Sequence, residues 1–463
     1  MRQKIKPISK SKFNIYRGTY HEPPPFIVQE IGWFSDIEEK HLATIVIDVE
    51  DSNFSAIILG PDEIGRFRHI DNHIDFATPN QALEWISKRI DELHAESKSF
   101  YPQYDCNGKK KIELFTNTVN ESKLNPDFKQ LQSSPEWNSA KNLITAIMPF
   151  YNDIDGNFTK EFQTKFDDRL WELYLFNYFN EEKLSFDTTR NSPDFVLIKD
   201  DDEQIVGVEA VIISKRDRVP NQYSSMYKTP DEKYLQNDMP ILWSGVLNKK
   251  MEHTSQNKDD STKKHYWEKR GLEGKPFVIA VQDFHDVFSM TWSFNSLPEL
   301  LYGFRYSGKL ENEILKVTPH KLDCYTKQTG TKIHSGFFFT HPNSKHLSAI
   351  IANPLGTISK FNRIGKERGF DKHNTFLIHQ GFYKDHQDNA ITPKRFVYPV
   401  IENGFERWSH GVVVYHNPNA LHPLPDDFFP NACHYHFKDN LIYDNSPDFS
   451  PFSSITTILH FDV

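Results

Sequence analysis

Asp168-Arg169-Leu170-Trp171-Glu172-Leu173-Tyr174-Leu175-Phe176, then Ser192-Pro193-Asp194-Phe195-Val196-Leu197-Ile198, then Ile205-Val206-Gly207-Val208-Glu209-Ala210-Val211-Ile212-Ile213 are the residues on which the reading of this 463-residue chain turns. Both apolar runs carry large side chains at alternating and intervening positions, so each reads as a strand covered on both faces. Glu209 therefore sits where an ionised carboxylate is costly unless it is paired, protonated or bound to a cation. The midpoint between positions 194 and 209 falls in the acidic turn Asp200-Asp201-Asp202-Glu203, so an antiparallel hairpin sets Asp194 opposite Glu209. Glu172 borders the apolar face of the preceding helix, from where it can lean over the hairpin. The bland alternative is that Arg169 or Arg190 holds a lone buried Glu209.

Three hard carboxylates gathered this way suit Mg²⁺ or Mn²⁺, which can activate a nucleophile or stabilise a leaving oxygen at phosphorus. The order of helix, Ser-Pro-Asp strand, turn and Glu-bearing strand resembles the core of the PD-(D/E)XK nuclease superfamily, across roughly residues 157–300. Three other fragments resemble the motif, at Pro61-Asp62-Glu63, Pro230-Asp231-Glu232-Lys233 and Ser446-Pro447-Asp448-Phe449, but none has these neighbours. The resemblance implies a restriction-endonuclease-like mixed sheet and metal-dependent DNA cleavage, with a role in bacterial restriction or defence. It also implies Asp194 and Glu209 as metal ligands, with Glu172 as a third ligand or water positioner.

One position departs from the pattern. The motif carries a lysine two residues after the second acid, on the same strand face, where it stabilises developing charge; here that residue is Val211. Some members of the superfamily supply the lysine from a neighbouring helix. Lys250 is the candidate: at 100° per residue after Pro240, it falls near the centre of a stripe made by Trp243, Val246, Leu247 and Met251. Snorkelling to water would explain it equally well. Lys215 is the reserve, and loss of catalysis leaves a binding scaffold as the alternative function.

The chain is long enough for two or three domains, expected as an α/β accessory block over 1–150, the nuclease-like core over 151–310 and a β-rich portion over 311–463 packed on it. The overall class is α+β. In the first block, strands are expected at 43–49 and 54–60, a helix over 81–93, and a linker or exposed insertion from Cys106 to Ser134. The core should open with a helix over 158–179, followed by a helix from Pro240 to Lys250 and a strand over 275–285. In the last portion, strands are expected at 336–340, 348–352, 411–416 and 455–461.

A net charge of −9 and a pI near 6.2 argue against a globally basic nucleic-acid coat but leave room for a local basic cleft. The run 359–372 interleaves Lys360, Arg363, Lys366 and Arg368 with Phe361 and Phe370, a pattern able to hold phosphates and stack on bases, or else the exposed surface of a loop or short helix. DNA is the expected partner. No apolar run has the length of a membrane span or signal core, and three scattered cysteines fit a reducing compartment, so the chain reads as cytoplasmic. His416, His422, Cys433, His434 and His436 match no closed zinc spacing, although His434 and His436 share a strand face and Cys433 points away from them. Surface or core histidines are the expectation; a site in the β-rich portion is the third functional reading.

Overall fold

The computed structural model describes residues 5–459 except 19–27, 107–110, 155, 200–203, 215–229, 257–261, 287, 313, 328, 372–374 and 388–389. The acidic turn and Lys215 lie outside the described residues, as does the end of the strand expected to reach 461. The chain is a mixed α+β protein, with one large mixed sheet flanked by helices and several smaller antiparallel sheets.

The large sheet has eight strands. In spatial order they are Leu441–Asn445, Cys433–Lys438, Val413–His416, Ala349–Ala352, Phe277–Asp283, Gln204–Ile213, Phe195–Lys199 and Ser185–Phe186. The 204–213 strand runs antiparallel to 195–199 and parallel to 277–283, with Phe195 facing Val208 and Lys199 facing Gln204. That register leaves Asp194 and Glu209 as the next facing positions, as the hairpin symmetry demanded. Four of the strands come from beyond residue 310, so the C-terminal portion builds the central sheet rather than packing on it.

The two faces are covered by different helices. Phe166–Glu181 is buried nearly all round, as expected of a helix with no polar face, and packs with Val206, Val208, Ala210 and Ile212. Its Trp171 indole N–H donates to the carbonyl of Ala280 at 3.1 Å. On the opposite face Met239–Met251 packs through Trp243, Leu247 and Met251 with Phe277, Ile279 and Val281. The helix expected over 158–179 is two, Phe158–Thr164 and Phe166–Glu181, interrupted at Lys165, whose backbone (φ −124°, ψ 54°) leaves the helical region.

In the first block, Pro79–Glu96 covers a five-stranded sheet that includes Leu42–Asp48 and Phe54–Pro61, and the two share their own small core. The stretch expected as a linker or exposed insertion instead anchors in the main core: Leu114, Leu124, Phe128 and Leu131 are buried there. Phe337–Thr340, expected as strand, is a short helix entered from Gly336 at φ 69°; aromatic β-propensity yields there to local packing. Among the described residues no helix is long and apolar enough to cross a membrane.

Candidate functional site

Asp194 lies at the mouth of the hairpin and is tied to the facing strand twice. Its carboxylate accepts the Ala210 N–H at 2.8 Å, and its own N–H donates to Glu209 Oε2 at 3.2 Å. Glu209 alternates away from Val208 and Ala210 and so points to the face covered by the 239–251 helix. There the Lys250 ammonium bonds Glu209 Oε1, which also accepts the Tyr266 hydroxyl at 2.9 Å. Val211, the position without a lysine, packs among the apolar residues of that same face. Burial works against the Lys250 charge, but Glu209 and Asp194 outweigh it and hold the ammonium above its ordinary pKa.

Glu172 comes from the other face. Its Oε2 accepts from Arg169 at 2.5 Å and from the Tyr151 hydroxyl at 3.4 Å. Arg169, a possible partner for Glu209 by sequence, instead joins Glu172 to Glu161, while Arg190 pairs with Asp187. Glu172, Asp194, Arg169 and Tyr151 line one cleft with about 170 Å³ of water-accessible space, enough for several waters. Burial, then the neighbouring Asp194 charge, pushes the Glu172 carboxyl up to about 8. Burial followed by Glu209 raises Asp194 to about 7. Asp194 is exposed to the cleft, and it is the acid shared by both neighbours.

The three acids do not close on a single point. Among the described residues, the groups of three or more side chains whose ligand atoms lie within 4.8 Å of one another are Asp36, His41, His94 and His416, Asp426, His436. Glu172 and Glu209 approach Asp194 from opposite faces of the sheet instead. Glu209 is committed to Lys250, Tyr266 and a backbone N–H, whereas Asp194 Oδ1 and Glu172 Oε1 carry no hydrogen bond among the described residues. Two free carboxylate oxygens on a wet cleft suit Mg²⁺ or Mn²⁺, which bind through one or two carboxylates and keep several waters.

The cationic run takes a different place from the one expected. Ile358–Glu367 is a helix laid against Asn138–Ile147, with Gly365 so close to the Ser139 carbonyl that a Cβ there would clash with it. Arg363, 2% exposed, grips Glu406 with two bonds of 2.6 and 2.7 Å, and the fully buried Lys360 ammonium donates to the His410 carbonyl at 2.6 Å. Lys366 pairs with Asp371 at 2.7 Å, and Arg368 donates to the carbonyls of Gly404 and Glu406. All four cations therefore have partners inside the fold, and Lys360, Arg363, Phe361 and Phe370 are buried rather than displayed on a surface.

Sequence reasoning missed Tyr151 and Tyr266 beside the acids, because aromatic residues carry no spacing signal of their own. It also missed how the histidines of the C-terminal strands gather with Asp426, since positions 416, 426 and 436 follow no ligand motif. Cys433 does point away, with Sγ 2.9 Å from Ser446 Oγ. Compared with protein-family models, curated proteins and solved structures, the chain matches none.

Proposed function

We propose that the protein is a metal-dependent nuclease that cleaves DNA phosphodiester bonds at the cleft around Asp194. The observation that carries this reading is the Lys250 ammonium on Glu209: a separate helix brings a cation to the second acid of a strand that has Val211 where the motif has lysine. In the large sheet, the succession of helix, three strands, helix and parallel strand from Phe166 to Asp283, interrupted by the small hairpin Ser255–Gln256 and Lys263–Lys264, supports the restriction-endonuclease-like core.

Asp194 and Glu172 would hold the ion through their free oxygens, and a divalent cation bound there polarises a phosphate and acidifies a water. Glu209 orients Lys250, whose ammonium can turn from the carboxylate toward charge developing on a phosphate oxygen. Tyr266 keeps Glu209 hydrogen-bonded when it does so. Arg169 keeps Glu172 directed at the cleft. A catalytically inactive scaffold is the second reading, favoured by the spread of the three acids and by a Lys250–Glu209 pair that satisfies itself.

Mn²⁺ titration by calorimetry, alongside cleavage of plasmid DNA in Mg²⁺ or Mn²⁺, separates the two. A nuclease binds Mn²⁺ and nicks or linearises the plasmid, and Asp194→Asn removes both properties while leaving the melting temperature within a few degrees. A wild-type protein that neither binds Mn²⁺ nor cleaves leaves the scaffold.

A further inference from the structure

The C-terminal strands of the large sheet carry a second cluster, unrelated to the acids at Asp194. Val413–His416 and Cys433–Lys438 run parallel with Val414 beside His434 and Tyr415 beside Tyr435, which sets His416 beside His436 and puts His416, His434 and His436 on one face. The rings confirm that arrangement, since His416 stacks on His436 with centroids 4.2 Å apart. Across this face lies the turn Asp426–Phe428, anchored by the buried Phe428 and Phe429, and it delivers the Asp426 carboxylate to the imidazoles.

The distances suit a coordination shell. Asp426 Oδ1 lies 3.4 Å from His416 Nε2, and Asp426 Oδ2 lies 3.0 Å from His436 Nε2. His434 Nδ1 lies 2.8 Å from His416 Nε2 and 3.9 Å from Asp426 Oδ1. Donors on a tetrahedral shell with metal–ligand bonds of roughly 2.0–2.1 Å stand about 3.3 Å apart, close to both Asp426 distances. Second contacts prepare the donors. His434 Nε2 is 3.0 Å from the Phe429 carbonyl, which can only accept, so in the neutral ring Nε2 carries the hydrogen and Nδ1 presents its lone pair to the cluster. The Tyr302 hydroxyl bonds the carbonyls of His416 and Tyr435 at 3.0 and 3.1 Å and fixes the two strands beneath the rings.

We propose that His416, Asp426 and His436 form a binding site for a transition-metal ion of the zinc class, with solvent as the fourth donor and His434 holding His416 in place. Imidazole nitrogen with one carboxylate selects such an ion over Mg²⁺ or Ca²⁺, which prefer shells made of oxygen alone. His416 and His434 are buried while Asp426 and His436 are about half exposed, so an ion can enter from solvent and be held against the sheet. Bound there, it would join two strands and the intervening turn, clipping the 413–438 side of the large sheet.

The test uses full-length protein stripped of metal with a chelator and titrated with Co²⁺, then Zn²⁺. One equivalent of Co²⁺ is expected to give the intense visible absorption of a four-coordinate nitrogen and oxygen site, and Zn²⁺ to bleach it and raise the melting temperature. His436→Gln and Asp426→Asn change half-exposed side chains and leave the fold intact; each is expected to weaken Zn²⁺ binding at least ~10-fold, since even outer-shell changes cost that much. Asp194→Asn should leave the Co²⁺ spectrum unchanged. The proposal is overturned if the wild-type protein develops no such band, if His436→Gln keeps wild-type Zn²⁺ affinity, or if Asp194→Asn abolishes the band, which would put the ion at the other cluster.

Discussion

The hairpin that carries Asp194 and Glu209 and the helix that carries Lys360 and Arg363 pose the same physical problem: charge embedded in apolar sequence. They solve it in opposite ways. Arg363 meets Glu406 in a closed, two-bonded pair, and Lys360 meets a carbonyl, so both cations have partners inside the fold. Around Asp194 the balance is incomplete. Three carboxylates share Lys250 and Arg169, and among the described residues two of their oxygens on a cleft carry no hydrogen bond. A buried charge thus signals function when its partners do not suffice, and the sequence shows the charge without the partners.

Breaking the closed network should have the largest effect. Arg363→Met leaves Glu406 buried at 1% exposure with, among the described residues, only the Lys360 ammonium, 3.9 Å away, as an ion-pair partner. Removing one member of a buried pair typically costs about 3–5 kcal/mol, and urea unfolding should register a loss of that order. A loss under ~1 kcal/mol would mean that the pair is loosely held, and the contrast with the hairpin would collapse.

Next comes Lys250→Met. Under the nuclease reading the ammonium acts on developing charge, so plasmid cleavage should drop by about 10²–10³-fold, as when one preorganised donor is removed, while Mn²⁺ affinity stays within a few-fold. If the variant instead unfolds and the wild-type protein binds no Mn²⁺, Lys250 is simply the counter-ion that Glu209 requires.

The hairpin was legible because two uninterrupted apolar runs, each with one acid, leave a single register that faces Asp194 with Glu209. Lys250 was legible because a lysine on an apolar stripe is conspicuous at helical period. Other features depend on contacts distant in sequence. Arg363 and Glu406 are 43 residues apart, and nothing local to 358–367 distinguishes an internal cation from an exposed one. Similarly, Leu114, Leu124, Phe128 and Leu131 are apolar residues spaced through a polar stretch, so their burial became evident only with the core against them. The spread of Glu172 and Glu209 over two faces was hidden for another reason. Helical periodicity says which side of its own helix a residue occupies, not which face of the sheet that helix covers.

A smaller, graded effect should come from pH. Asp194 and Glu172 bind protons more tightly in the folded protein, at about 7 and about 8, than carboxyls do in the unfolded chain. Their contribution to stability is therefore complete in acid and is lost as pH rises from about 4 through about 8. In chelator, the melting temperature should show this decline, and Glu172→Gln should flatten it. A bound divalent ion takes the place of the protons, so Mn²⁺ affinity should climb by up to ~10-fold per pH unit for each proton released across pH 6–8. Affinity that is level from pH 6 to 8 would show that the ion binds elsewhere.

The smallest effect belongs to the outer cations of the 358–367 helix and its end. Lys366 and Arg368 keep 18% and 22% of their side chains exposed, and each has a partner inside the protein: Lys366 the Asp371 carboxylate, Arg368 the carbonyls of Gly404 and Glu406. Solvent screens such contacts, so Lys366→Ala and Arg368→Ala should each cost about 1 kcal/mol or less. DNA retention in a filter-binding assay should not change, because cations already bonded to partners inside the fold are not free to displace counterions from a phosphate. If either substitution instead lowers DNA affinity and reduces the salt dependence by about one ion, these residues turn outward to bind phosphate. The helix would then join the hairpin as a place where the internal partners do not suffice.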